Sequence, residues 1–326
     1  MKAAPFAYHD PRTVEEAIRL LGELDNAKLL AGGQSLMPMM NLRLAAPDHI
    51  IDINRLPGVA GIDISPDRIR IGAMTRQADL KSSEDLFAVA PVFRAALTHV
   101  GHMQTRARGT IGGSCCHLDP AAELPALCAL LDAEFEALGP CGSRRIAARD
   151  WFRGYLESAL DEREILVAID LPRWPKGHGC GFHEFARRHG DFAVAGAAAL
   201  LSQDAGRKVQ RAAIVVFGVE ASPVRLAATE QAMLGRIIGP LAFQELAPDV
   251  VAGTKMDLNR PFGDGKDSPA RNPVTGKYDI YDGVVDDPLE AGDPFLDVDG
   301  NGKWSSGEPF IDTDGNKAYT PPLDTA

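Results

Sequence analysis

The sequence predicts an α+β protein in which helices and strands alternate up to about residue 236. Two observations carry this prediction. Apolar residues recur at helical spacing in some segments and alternate with polar residues in others, and proline or glycine separates many of these segments. The chain has 326 residues, of which 45% are hydrophobic, so it is long enough for two or three domains with cores of their own.

The N-terminal segments are predicted to form a capped helix, two strands and a hairpin. Thr13 and Glu16 fit a capping box, and apolar residues follow at helical spacing to about residue 24. A short strand over residues 27–31 leads into a glycine-rich turn. Residues 49–53 have the apolar character of a buried strand, and residues 58–74 alternate as a β-hairpin does.

Further segments continue the alternation that places the chain in the α+β class. We predict helices over residues 86–100, 124–131, 146–155 and 225–235. We predict strands over residues 133–138, 164–172, 181–188, 192–202 and 210–219, with a linker over residues 173–179.

Two glycine-rich turns are the main functional signal. They are Ala31-Gly32-Gly33-Gln34-Ser35 and Thr110-Ile111-Gly112-Gly113-Ser114. Paired glycines let the backbone approach a ligand, and successive free N–H groups suit a phosphate. We interpret both turns as binding one dinucleotide, although spacing alone equally allows two tight turns without a ligand. Arg106 and Arg108 precede the second turn, where they either neutralise phosphate or are solvated loop charges.

Other functional classes find little support in the sequence. No apolar run approaches the ~20 residues of a membrane span, and the first residues lack the apolar stretch of a secretory signal. Five cysteines without a C-x-x-C pair favour free thiols in a reducing, cytoplasmic compartment. The adjacent Cys115 and Cys116 cannot easily face one metal. We assign no catalytic acid–base set, and His102, His117, His183 and His189 are interpreted as structural.

The two motifs AGGQSLMPMM and RGTIGGS-x-x-x-x-DPAAELPAL identify a family. Around them, the sequence resembles the FAD-binding medium subunit of the molybdenum hydroxylases, such as aerobic carbon-monoxide dehydrogenase. Residues 5–172 are similar to its PCMH-type flavin domain and residues 178–236 to the start of its C-terminal flavoprotein domain. The resemblance implies a two-part FAD-binding domain over 1–175 and a partial C-terminal domain over 176–240. It stops near residue 236, and the composition predicts an irregular acidic segment over 241–326.

The resemblance also implies which residues hold FAD. The two turns would bind the pyrophosphate, Asp119 the ribityl or ribose hydroxyls, and Leu166 the ring system or the adenine side. Phe192 lies where an aromatic residue of some relatives shields the isoalloxazine. The implied set is Ala31, Gly32, Gly33, Gln34, Ser35, Thr110, Ile111, Gly112, Gly113, Ser114, Asp119, Leu166 and Phe192.

The implied function is electron transfer within a larger oxidoreductase. A large partner subunit would carry the molybdenum cofactor and a small partner two [2Fe-2S] clusters, in a dimer of heterotrimers. This chain's FAD would pass the electrons to an external acceptor, and the protein would supply binding and orientation. The substrate is chosen in the large subunit, so it is not encoded here.

The last 82 residues differ sharply in charge from the rest. Residues 1–244 contain 28 acidic and 27 basic residues, a net charge of −1, whereas residues 245–326 contain 17 acidic and 7 basic residues, a net charge of −10. Such an asymmetry marks a boundary between segments of different character. Neither part has the basic face that nucleic-acid binding requires.

A sequence repeat in this acidic segment suggests calcium. Residues 293–301 recur as residues 308–316, and one twelve-residue stretch matches the spacing of a calcium loop. Its ligand positions are Asp297, Asp299, Asn301, Lys303 through its carbonyl, Ser305 and Glu308. A disordered acidic tail is the alternative. We favour a fusion joined near residues 236–245, and the rival function is a calcium-binding or chimeric interaction protein with a non-functional flavin domain.

Overall fold

A computed structural model of the chain describes residues 2–188 and 190–237. Its strands are, in chain order, β1 (Ala7–His9), β2 (Ala27–Leu30), β3 (His49–Asp52), β4 (Ile62–Ile64), β5 (Arg68–Gly72), β6 (Glu134–Gly139), β7 (Gly142–Ala147), β8 (Phe152–Gly154), β9 (Glu157–Ser158), β10 (Ile165–Pro172), β11 (Gly179–Ala186), β12 (Ala193–Gln203), β13 (Val209–Phe217) and β14 (Val224–Arg225). This arrangement confirms the predicted α+β class.

The helices are all short. They are α1 (Val14–Glu23), α2 (Leu36–Asn41), α3 (Gln77–Ser82), α4 (Glu84–Val89), α5 (Val92–His99), α6 (Met103–Arg108), α7 (Ile111–His117), α8 (Glu123–Leu130), α9 (Ala148–Trp151) and α10 (Ala227–Met233). No helix among the described residues has the length and apolar character that a membrane crossing requires.

The N-terminal sheet is parallel, with β3 between β1 and β2. Helices α1 and α2 make the crossovers that parallel strands need. Thr13 caps the start of helix α1, because its hydroxyl accepts a hydrogen bond from the Glu16 amide at 3.1 Å, as the capping signal predicts. The Glu16 carboxylate accepts from the Arg12 amide rather than from that of Thr13. The strand β2 delivers the chain into the first glycine-rich turn.

A second sheet is antiparallel, in the order β4-β5-β10-β6-β7. One face packs on a layer of helices through buried residues that alternate along the strands, such as Ile71 and Phe135. The opposite face carries charges: Arg70 donates to Glu136 at 2.7 Å and to Asp170 at 2.8 Å. The predicted hairpin is β4 and β5, and the predicted strand over 164–172 is β10.

Two predicted helices are wrong in extent. Residues 86–100 form two helices, α4 and α5, because Pro91 lacks the amide that would continue the first. Residues 146–155 contain only the four residues of α9 as helix. Pairing of β7 with β6 holds Ile146 and Ala147 in the sheet, and a two-stranded hairpin, β8–β9, follows.

A third sheet, β11-β12-β13-β14, follows the predicted linker and is antiparallel. Helix α10 packs on one face of β13, and α8 packs on the opposite face of β12 and β13. Residues Leu124 to Leu130 of α8 are all buried, so this helix is enclosed between the helical layer and the third sheet.

Candidate functional site

A cavity of about 590 Å³ lies where the two glycine-rich segments meet. A Cβ atom at Gly32 would overlap the Arg108 carbonyl oxygen and lie 2.7 Å from the Cα of Gly109. A Cβ atom at Gly113 would lie 3.7 Å from the Cβ of Ala31. The two segments are thus in contact and border one cavity, whose volume falls in the ordinary range for a small-molecule or cofactor site.

Most of the residues that the sequence assigned to the cofactor line this cavity. They are Ala31, Gly32, Gly33, Gln34, Ser35, Thr110, Gly113, Ser114, Asp119 and Phe192. Three others, Ile111, Gly112 and Leu166, do not line it.

The first segment presents its backbone to the cavity. Gly33 has a φ of +71°, a conformation that favours glycine. The Ala31 carbonyl accepts a hydrogen bond from Asn54 at 2.8 Å, which fixes the start of the turn. Within the described part of the chain, the amides of Gly32 to Ser35 donate no hydrogen bond. Four neighbouring donors at the edge of a cavity suit an anionic group.

The second segment differs from the predicted turn, because it is the start of helix α7. The Ile111 amide donates to the Thr75 carbonyl at 3.1 Å, the Gly112 amide to the Ala73 carbonyl at 2.8 Å, and the Gly113 amide to the Thr110 hydroxyl at 3.0 Å. These three amides are therefore not free for a ligand. The sequence interpretation, in which they bind a phosphate, is wrong on this point. Thr110 caps the helix, and the Thr110–Ser114 segment reaches the cavity through Thr110, Gly113 and Ser114.

Gly112 is needed for packing rather than for ligand contact. A Cβ atom there would lie 2.6 Å from the carbonyl oxygen of Ala73 and 2.7 Å from its Cβ. Ile111 beside it is fully buried in the core. Both residues hold α7 against the segment that follows β5, and so they position the cavity-lining residues of α7 indirectly.

Leu166 and Phe192 have opposite surroundings. Leu166 lies in β10 with 4% of its surface exposed and belongs to the main core, so the structure does not bring it to the cavity. Phe192 precedes β12, lines the cavity and is 71% exposed. An aromatic side chain this exposed at a cavity mouth is available to cover a planar ligand.

Three acidic residues, Asp119, Glu123 and Asp191, line the cavity. Asp119 uses one carboxylate oxygen, Oδ1, to accept from the Ala121 amide at 2.9 Å. Burial raises the pKa of Glu123 to about 8, with smaller contributions from the charges of Glu184 and Asp119. Burial likewise raises the pKa of Glu184 on β11 to about 7. The Glu184 side chain is 1% exposed, and its Oε1 lies 3.8 Å from Nδ1 of His99.

The raised pKa of Glu123 predicts a pH-dependent stability. Between pH 4.5 and about 8 the folded state holds a proton on Glu123 that the unfolded state has lost, so the free energy of unfolding falls as the pH rises through this range. We expect Glu123→Gln, which is neutral at every pH, to flatten that fall in chemical denaturation at a series of pH values. An unchanged pH profile in the variant would contradict the assignment.

Several cavity residues were not found from the sequence. Lys28 on β2 lines the cavity, as do Gln77, Glu123, His102 and His117. The Gln77 side-chain oxygen is buried without a hydrogen-bond partner among the described residues. Arg106 instead donates to the carbonyls of Val100 and Gly101, both at 2.7 Å, and therefore has a structural role.

The predicted calcium ligands cannot be compared with the structure. Asp297, Asp299, Asn301, Lys303, Ser305 and Glu308 all lie outside the described residues, as does His189. Over the residues that the structure does describe, no three His, Cys, Asp or Glu side chains form a group that could hold a metal ion.

Two sequence families match the chain. The family described as the FAD binding domain in molybdopterin dehydrogenase matches residues 4–174. The CO dehydrogenase flavoprotein C-terminal domain matches residues 181–263, which extends past the boundary proposed at residue 240.

Similar proteins include subunits of several dehydrogenases. The chain is 40% identical to subunit alpha of the 6-hydroxypseudooxynicotine dehydrogenase complex of Paenarthrobacter nicotinovorans, over 72% of this chain and 79% of that one. It is 39% identical to the carbon monoxide dehydrogenase medium chain of Hydrogenophaga pseudoflava, over 76% of this chain and 86% of that one.

Solved structures agree with the sequence matches. Carbon monoxide dehydrogenase from Hydrogenophaga pseudoflava superposes with a TM-score of 0.75 at 40% identity, covering 77% of this chain and 88% of that one. Quinoline 2-oxidoreductase from Pseudomonas putida 86 gives a TM-score of 0.74 at 32% identity, covering 78% and 88%.

Proposed function

Because this chain belongs to the family of FAD-binding medium subunits of molybdenum hydroxylases, we propose that its 590 Å³ cavity holds the FAD of an electron-transferring complex. The observation that carries this proposal is the meeting of two glycine-containing segments at one cavity. A Cβ atom at Gly32 would overlap the backbone of the second segment, so only glycine allows this contact. Glycine at this position keeps the two segments in contact, so that a dinucleotide in the cavity would reach both.

The residues present fit this cofactor. The amides of Gly32 to Ser35 would donate to the phosphates, and the hydroxyls of Thr110 and Ser114 would donate from the opposite side. Lys28 supplies a positive charge at the same cavity. Asp119 would accept from a sugar or ribityl hydroxyl. Phe192 would cover the ring system and exclude water from one of its faces.

The larger assembly is also a proposal. Bound FAD would take electrons from the iron–sulfur clusters of a small partner subunit and pass them to an external acceptor. A large subunit with the molybdenum cofactor would choose the substrate, and the whole would form a dimer of heterotrimers. We expect the cytoplasm as the compartment. This chain's own task is then to hold the dinucleotide and to orient it for its partners.

The flavin content of the purified full-length chain tests the function. We expect an equimolar amount of FAD, released on denaturation and identified as FAD rather than FMN by chromatography. The distinction matters because only the dinucleotide has the pyrophosphate that the two segments are proposed to bind. A protein that remains colourless after incubation with excess FAD would contradict the proposal.

We also propose that the acidic segment binds calcium, on the sequence pattern alone. Asp297, Asp299, Asn301, Ser305 and Glu308 supply side-chain oxygens at the spacing of a calcium loop, and Lys303 supplies a carbonyl. Calorimetric titration of the full chain with calcium should give a binding heat that Asp297→Asn with Glu308→Gln removes. A flat titration of the unmodified chain would exclude this site without affecting the flavin proposal.

A further inference from the structure

Asn54 ties the first glycine-rich segment to the end of β3. Its side-chain amide donates to the Ala31 carbonyl at 2.8 Å and to the Leu30 carbonyl at 3.2 Å. The same amide contacts Asp52 Oδ1 at 2.6 Å, and Asp52 Oδ2 accepts from the Tyr8 hydroxyl at 2.6 Å. Burial opposes ionisation of Asp52, but the hydrogen bonds from Tyr8 and Asn54 outweigh it and lower its pKa. Asn54 is therefore held in one orientation.

Arg76 continues this chain of contacts to the second segment. Its Nη2 donates to Asn54 Oδ1 at 2.6 Å, and its Nη1 donates to the Arg108 carbonyl oxygen. The backbone next to it is also tied there, because the Gln77 amide donates to the Gly109 carbonyl at 2.9 Å. The Arg76 guanidinium thus links Asn54, which binds the Ala31 carbonyl, to the Arg108 carbonyl, which lies against Gly32.

Neither side chain lines the cavity itself. Within the described residues, Arg76 forms no ion pair with a carboxylate, and its hydrogen bonds go to two uncharged oxygens. The planar guanidinium of Arg76 donates to two oxygens at once from fixed positions, and the single ammonium group of a lysine cannot reproduce this. The hydrogen bonds of Arg76 also connect the two segments, so they would have to break for the segments to separate.

We propose that Asn54 and Arg76 form a latch that fixes the spacing of the two glycine-containing segments and thereby positions them for the dinucleotide. They are positioning residues, since they act through the Ala31 and Arg108 carbonyls. This inference rests on the proposed function, because the spacing matters for a ligand that contacts both segments. Opening the latch widens the cavity without removing any group that would touch the ligand.

The dissociation constant for FAD of the flavin-stripped, full-length chain tests the latch. We expect Asn54→Ala and Arg76→Ala each to raise it about tenfold, since each loses charge-assisted hydrogen bonds. The double variant should resemble either single variant rather than multiply their effects, because both act on one contact. Arg76→Lys should behave like Arg76→Ala. The matched control is Arg55→Gln, because Arg55 follows Asn54 directly but binds Asp10 and is 62% exposed.

The latch is overturned if Arg76→Lys restores wild-type affinity, since the residue would then act by its charge, or if the double variant shows the product of both effects. It is also overturned if the single variants lower the melting temperature of the flavin-free chain yet bind FAD as the wild type does. If the wild type itself binds no FAD, the proposed function fails, and the latch with it.

Discussion

Replacing Gly32 with alanine should reduce the affinity of the chain for FAD by at least about 100-fold, equivalent to about 3 kcal/mol. A Cβ atom at this position would lie 2.7 Å from the Cα of Gly109 and would overlap the Arg108 carbonyl oxygen. Both are backbone atoms, so no rotation of a side chain can relieve the contact. The two segments would have to move apart, and the groups that face the cavity would lose their spacing.

Gly22 offers a matched control for this substitution. It lies in α1, and a Cβ atom there would meet nothing within 4 Å. Gly22→Ala should therefore stabilise the chain by roughly 0.5–1 kcal/mol, as alanine does in a helix, and leave FAD binding unchanged. Equilibrium titration with FAD, with circular dichroism to confirm folding, makes the comparison. Wild-type affinity in Gly32→Ala would show that the contact between the segments does not shape the site.

The largest effect on stability is expected at Trp151. Its side chain is fully buried and stacks on Phe135 with ring centroids 4.1 Å apart. Its Nε1 donates to the carbonyl oxygen of Cys115 in α7 at 2.9 Å. Trp151→Ala removes the stacking and the hydrogen bond and leaves a cavity, so the free energy of unfolding should fall by about 3–5 kcal/mol.

Urea denaturation at several FAD concentrations measures this effect. Because Trp151 holds the same helix that presents Thr110 and Ser114 to the cavity, the variant should also gain less stability from added FAD than the wild type does. Tyr155→Ala is the control, since Tyr155 is 68% exposed and its loss should change stability by no more than about 0.5 kcal/mol. A Trp151→Ala chain as stable as the control would contradict this description of the core.

Local signals in the sequence were sufficient for most elements. The capping pair Thr13 and Glu16 indicated the start of α1, alternation indicated β4 and β5, and an apolar run that ends at proline indicated β10. Each of these signals lies within a few residues of the element that it predicts. One prediction failed where pairing with a neighbouring strand decided the structure. Residues 146 and 147 look helical in isolation, but they pair with β6 across a turn, and this pairing outweighs helix propensity.

Only part of the candidate site was predictable from the sequence. Glycine pairs mark places where backbones come close, so Gly32 and Gly113 were found. The sequence could not show that the amides of residues 111–113 bind Thr75, Ala73 and Thr110, because two of those partners lie more than 30 residues earlier. For the same reason Asn54 and Arg76, which are 22 residues apart and join both segments, gave no signal.

A structure of the full-length chain with FAD bound tests the central claim most directly. We expect both phosphates to lie between the amides of Gly32 to Ser35 on one side and the hydroxyls of Thr110 and Ser114 on the other, each within hydrogen-bond distance. Phosphates that lie away from the contact between Gly32 and Gly109, or FAD bound outside this cavity, would contradict it.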